Sequence, residues 1–110
     1  MVDIHHYTYR VSWSSDDGEF VGTVVEFPSL SWLSKSQVEA FQGICNLTAQ
    51  TVEDMEANDE SVPEPIADKH YSGKFVVRVT PEQHRELAME AAEQQVSLNR
   101  LVSGRVLVDA

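Results

Sequence analysis

Lys74, Val76 and Arg78 stand at alternate positions of the run Lys-Phe-Val-Val-Arg-Val. On a strand, alternate residues share a face, so two cations and a methyl-bearing side chain fall on one side and Phe75, Val77 and Val79 on the other. Against the major groove of DNA, Arg78 has the donor fork that a guanine edge accepts, Lys74 reaches a base or a phosphate, and Val76 meets a thymine methyl. Further on, Ser97, Leu98 and Asn99 open an apolar-periodic stretch, where the unpaired amides of a helix start suit a backbone phosphate. The plain alternative for Lys74 and Arg78 is a solvated strand face.

Other groups carry less chemistry. His5 and His6 are adjacent, so on a strand they point to opposite faces and cannot readily chelate one ion; frayed terminal histidines are expected. His84 falls in the first turns of a helix with no Cys or Asp partner for nucleophilic catalysis. The single cysteine, Cys45, excludes an internal disulfide framework and points to a reducing compartment. The acids bunch at one turn and in one linker-like stretch, not across several elements as a two-metal nuclease requires. No catalytic set, metal site or cofactor is assigned, and the chain is expected not to be an enzyme. No basic-then-apolar leader opens the sequence and no apolar run is of membrane-spanning length, so a cytoplasmic protein is expected.

The net charge of −10 argues at first against nucleic acid. Its distribution changes that argument. Met1 to His70 holds 13 acids and 3 bases, Arg10, Lys35 and Lys69, which makes −10; Tyr71 to Ala110 holds 5 acids and 5 bases, which cancel. The acidic part is repelled by nucleic acid and attracts basic partners. Asp16, Asp17, Glu19 and Glu26 are candidates for contacting such a partner, with turn formation an equal account of Asp16 and Asp17. Trp32 is a candidate apolar anchor, with a core role the simpler reading.

These residues need elements to position them. Tyr7 to Trp13 alternates as a half-buried strand with Tyr7, Tyr9, Val11 and Trp13 on one face. Ser14 to Gly18 supplies a turn, Glu19 to Phe27 a second strand ending at Pro28, and Ser29 to Leu33 a short third. Ser36 and Glu39 have capping-box spacing, so a helix should begin near Gln37 and run to about Ala57, with Phe41, Ile44, Thr48, Val52 and Met55 inward. Gly43 weakens that helix slightly. Asn58 to Lys69 lacks periodicity and reads as a linker with little structure of its own. Lys74 to Val79 is a fourth strand. Thr80-Pro81-Glu82-Gln83 starts a helix with Leu87, Ala88, Ala91 and Ala92 on one stripe. After Gln94-Gln95, Ser97 caps a last helix with Leu98, Leu101, Val102 and Val106 inward. A lone strand with two helices has too little core to fold unaided. It needs a second copy, whose strand would pair antiparallel to make a ribbon of the width a major groove admits.

Lys74-Phe-Val-Val-Arg-Val-Thr-Pro-Glu-Gln-His followed by Ser97-Leu-Asn-Arg-Leu-Val resembles the ribbon-helix-helix repressors over nearly the whole tail. Tyr7-Thr-Tyr-Arg-Val-Ser-Trp-Ser, Asp16-Asp-Gly-Glu-Phe-Val-Gly, Glu26-Phe-Pro-Ser-Leu-Ser, Pro63-Glu-Pro and Ser72-Gly-Lys-Phe-Val-Val-Arg-Val resemble the HicB antitoxin family. Together the resemblances cover almost the entire chain. They imply an α+β protein: a partial RNase H-like β-β-β-α domain at 1–62 that masks a small basic HicA-type ribonuclease toxin, a linker at 63–71, and a ribbon-helix-helix domain at 72–110 that represses its own operon on double-stranded operator DNA. A homodimer, extending to a tetramer, is the expected assembly. A stand-alone regulator without a toxin is the second reading.

Overall fold

Aromatic and β-branched residues alternating with small polar ones lay down three strands, β1 (Tyr9–Ser14), β2 (Glu19–Val24) and β3 (Ser31–Ser34), in the computed structural model, which describes residues 1–107. They form an antiparallel sheet in the order β1-β2-β3, with Val11 and Trp32 both opposite Gly22. The first hairpin turns through Gly18, whose φ of +63° suits a residue without a Cβ, and the Gly18 amide donates to the Ser14 carbonyl at 2.9 Å. All three strands are shorter or later than their sequence runs predict. Tyr7 belongs to the end of a 3₁₀ turn at Ile4–His6, and Phe27 leaves the sheet because its amide turns back to the Val24 carbonyl at 3.1 Å.

Helix α1 (Gln37–Ala57) covers one face of this sheet. The Ser36 hydroxyl accepts the Glu39 amide at 3.3 Å, as the capping spacing predicts. The other half of the expected box is relayed: Ser34 Oγ accepts the Ser36 amide and donates to Glu39 Oε2. Ala40, Gly43, Ile44, Thr48 and Val52 are buried. Phe41, expected inward, flanks the sheet instead and meets Tyr9 edge-on at 6.0 Å. Two glycines set how closely helix and sheet approach. A Cβ on Gly22 would fall 2.6 Å from the Ala40 carbonyl oxygen, and one on Gly43 would fall 2.1 Å from the Trp32 indole. Tyr7, Val24, Phe27, Ile44 and Val52 form the core, each large side chain contributing about 1.5–3 kcal/mol on burial. The buried Thr48 hydroxyl is satisfied by the Ile44 carbonyl at 2.8 Å.

The stretch expected to be an unstructured linker is instead the closing part of this unit, which runs from Met1 to Tyr71. Helix α1 ends in paired 6→1 and 5→2 bonds, from Glu60 to Met55 and from Asp59 to Glu56, with Asp59 at φ +57°. The chain then returns. Val62 packs on the core, Pro65 is fully buried, and Ile66–Asp68 makes a 3₁₀ turn. Single polar anchors hold it: Tyr7 Oη donates to the Pro63 carbonyl at 2.6 Å, the Ile66 amide donates to Glu26 at 3.0 Å, and His6 Nδ1 lies 2.9 Å from Asp68. His5 and His6 are therefore not frayed; Asp3 caps their turn by accepting the His5 amide.

The second unit begins at Ser72. Helix α2 (Pro81–Glu93) carries the full capping box, Gln83 amide to Thr80 Oγ1 at 3.1 Å and Thr80 amide to Gln83 Oε1 at 3.0 Å. It ends at Gln95, φ +58°, with the Val96 amide on the Ala91 carbonyl and the Gln95 amide on that of Ala92. Helix α3 (Leu98–Val106) starts on Ser97, whose hydroxyl accepts the Arg100 amide at 3.1 Å. Ala91 and Leu101 are buried between the helices, and Arg105 pairs with Glu90. Ala88 and Ala92, expected on the inner stripe, are exposed in the single chain, as is Val106. The predicted strand at Lys74–Val79 does not form within one chain, because it has no neighbouring strand to bond.

Candidate nucleic-acid and partner interfaces

Residues 74–79 meet the helices of their own unit with alternate side chains. Phe75, Val77 and Val79 line an open apolar cavity of about 780 Å³ with Leu87, Val102 and Val106 among its other walls. Phe75 is nevertheless 78% exposed and Val77 61%, so this wall is only half built. Val76 and Arg78 are not among the residues that line the cavity, whereas Lys74 is. The alternation read from the sequence thus separates Val76 and Arg78 from Phe75, Val77 and Val79, but not Lys74. Lys74 is held locally, its amide donating to Ser72 Oγ at 3.1 Å.

The start of α3 has no carboxylate in its first turn, whereas α2 has Glu82. The positive end of the α3 dipole is therefore left for an anion. The Ser97 hydroxyl is occupied as the cap, and Leu98 and Asn99 are among the residues lining the cavity.

The five candidate partner residues of the front unit do not converge. Asp16, Asp17 and Glu19 sit at the β1–β2 hairpin tip, where Asp17 is partly committed: Ser14 Oγ donates to its carboxylate at 2.8 Å and accepts its amide at 3.3 Å. Glu26 lies beyond the far end of β2, seven residues and roughly 20 Å along the strand direction from Glu19. It is an internal anchor, accepting from the Thr8 amide and hydroxyl at 2.9 and 3.3 Å and from the Ile66 amide. Burial pushes its carboxyl up, but the amides of Ile66 and Thr8 outweigh this and hold it below its ordinary range. Trp32 lies over Gly43 at β3 and is 44% exposed, part packing and part available surface.

A shallow pocket beside the start of β1 is lined by His5, Tyr9, Phe41, Gln42, Cys45 and Asn46. Burial raises the Cys45 thiol, and raises the Tyr9 phenol to about 12, with its hydroxyl donating to the Ile4 carbonyl at 2.7 Å. Neither is a nucleophile at neutral pH. Among the described residues there is no cluster of three or more His, Cys, Asp or Glu placed to hold a metal ion, and no helix long and apolar enough to cross a membrane.

Sequence reasoning missed the latch made by His6, Tyr7, Glu26, Pro63 and Asp68, since each contact joins residues 40 to 62 positions apart and leaves no periodic trace. Pro63 and Pro65 were the available signal: fixed φ lowers the entropy lost when a segment docks. It missed the two close-approach glycines for the same reason.

No curated protein and no solved structure matches this chain. Just under half of it does match a known family, and that half takes in the return segment, residues 74–79 and both tail helices. The HicB family, to which the sequence motifs point, is the family whose model this chain matches, over residues 56–106.

Proposed function

We propose that this chain is the antitoxin of a toxin–antitoxin pair: its acidic front unit binds and masks a small basic HicA-type ribonuclease, and its tail dimerises as a ribbon-helix-helix that represses the operon. The carrying observation is the half-built apolar wall of the tail, Phe75, Val77 and Val79, with Val76 and Arg78 turned away from it. A second copy pairing antiparallel along residues 74–79 covers that wall, satisfies the strand amides of both chains and sets two Arg78 guanidinium groups on one outer face. That face fits the major groove, and the unneutralised start of α3 fits a flanking phosphate.

The front unit's share rests on charge. An RNA-cleaving partner presents cations, and this unit carries an excess of ten carboxylates. Its β-β-β-α order supports the truncated RNase H-like domain that the family implies, working by occlusion and not by catalysis. Such a protein acts in the cytoplasm and needs no cofactor.

Two experiments test this. Co-expression with the flanking genes, with this chain tagged and the complex weighed intact, is expected to bring down a small basic protein that arrests growth when expressed alone; a homo-oligomer with no companion leaves a stand-alone regulator. Arg78→Ala is expected to abolish operator binding and leave toxin binding intact, whereas unchanged DNA affinity refutes the ribbon.

A further inference from the structure

The front unit has an open sheet edge with the features of an interface. Strand β1 pairs on one side only, with β2. The Val25 amide donates to the Thr8 carbonyl at 2.9 Å, and in an antiparallel ladder bonded pairs alternate, so Arg10, Ser12 and Ser14 are the residues bonded to β2. The N–H and C=O groups of Tyr9, Val11 and Trp13 point outward, and among the described residues no backbone group meets them. Edges left free are commonly blunted by proline, lysine or a bulge. This one has a single charge, Arg10, no proline, and a continuous six-residue register with β2. Exposed apolar side chains run beside it: Trp13 is 55% exposed, and Val38 and Phe41 lie on the flank of α1, with Phe41 against Tyr9.

We propose that the β1 edge pairs with the β1 edge of a second copy of this chain, joining two three-stranded sheets into one of six strands. The edge is complementary to itself. Antiparallel pairing about Val11 puts Tyr9 of each copy opposite Trp13 of the other, on the face that carries α1. Arg10 then faces Ser12, so no like charges meet directly. Beyond the strand ends the ladder stops, and the hairpin tip with Asp16 and Asp17 comes to the end where the other copy carries the turn of His5 and His6, the latter held by Asp68 of its own chain. The acids that would repel a second acidic unit, Glu53, Asp54, Glu56, Asp59 and Glu60, sit at the end of α1 and just past it, off this edge. Six outward groups on each strand find partners, and three aromatic side chains per copy lose water.

This contact is separate from the tail ribbon, and its test separates the two. In the full chain, Phe75→Asp with Val77→Asp removes the apolar wall of the tail. That variant is expected to remain a dimer by light scattering, through β1. Adding Trp13→Lys, at an exposed position that leaves folding intact by circular dichroism, is expected to weaken the remaining dimer at least tenfold, and the amides of Tyr9, Val11 and Trp13 to exchange faster. A monomer already present before Trp13 is changed overturns the proposal, as does a dimer that Trp13→Lys leaves untouched. Protection of those three amides that appears only on adding the co-purified toxin also overturns it, because the edge then belongs to the toxin. If the tail does not dimerise, the Phe75 and Val77 changes have no effect on mass, and the Trp13→Lys result still decides the β1 contact.

Discussion

Glu26 and His6 put opposite pH limits on one latch. The amides that hold the Glu26 carboxyl below its ordinary 4.5 make it a group whose stabilisation is complete above that value and fades as pH falls through the lower folded value. His6 is raised above 6.5 by its hydrogen bond and charge contact with Asp68, so its contribution is complete below 6.5 and fades as pH rises through the higher folded value. Exchange protection of the Ile66 amide is expected to be greatest in mildly acidic solution and to fall on both sides, with His6→Gln removing only the alkaline fall. The glycines make a steric prediction. Gly43→Ala sets a methyl into the Trp32 ring, and is expected to cost about 1–3 kcal/mol in denaturant unfolding and to shift the Trp32 emission as the indole is pushed out. Gly22→Ala is expected to cost at least as much, since it meets the backbone carbonyl of Ala40, which cannot swing aside.

At the scale of elements, boundaries follow local chemistry wherever the sequence carries it. The caps at Ser36, Thr80 and Ser97 were all legible, because a hydroxyl three residues ahead of the amide it accepts is a local pattern. Strand ends were not, because where a strand stops depends on its neighbour: Phe27 reads as β2 until its amide is seen turned to Val24. Both C-terminal helix caps, of α1 and α2, place a side chain in the left-handed region, Asp59 and Gln95, where glycine is unstrained. Gln95→Gly is expected to stabilise the tail by about 0.5–1 kcal/mol, measured as a higher melting temperature, and a loss of stability would show that the Gln95 side chain has a contact of its own.

Across the whole chain, charge and motif order set the expected domains, and the chain itself divides into two compact units, the second from Ser72. The linker ahead of it was misread, because anchoring by isolated residues such as Tyr7 and Glu26 has no compositional signature. Lys74, Val76 and Arg78 were legible as an alternation, whereas the acidic partner candidates were chosen by charge, and charge does not say that Glu26 is spent inside the fold. With little beyond Ala91 and Leu101 buried in the tail, its unfolding is expected to depend on protein concentration, the melting temperature rising on tenfold concentration. A concentration-independent tail transition would contradict the proposed tail dimer.

The latch also has a consequence for the order in which the protein is made. Its anchors join His6 to Asp68 and Tyr7 to Pro63, so the first unit to leave the ribosome stays unfinished until its last ten residues emerge. A nascent chain that stops at the end of α1 has its sheet and helix but no seal over Tyr7 and the lower core. At translation rates of about 5–20 residues per second, that interval lasts on the order of a second. Completion of the acidic unit and appearance of residues 74–79 are thereby nearly simultaneous, and a ribosome stalled before Pro63 releases a first unit without its seal.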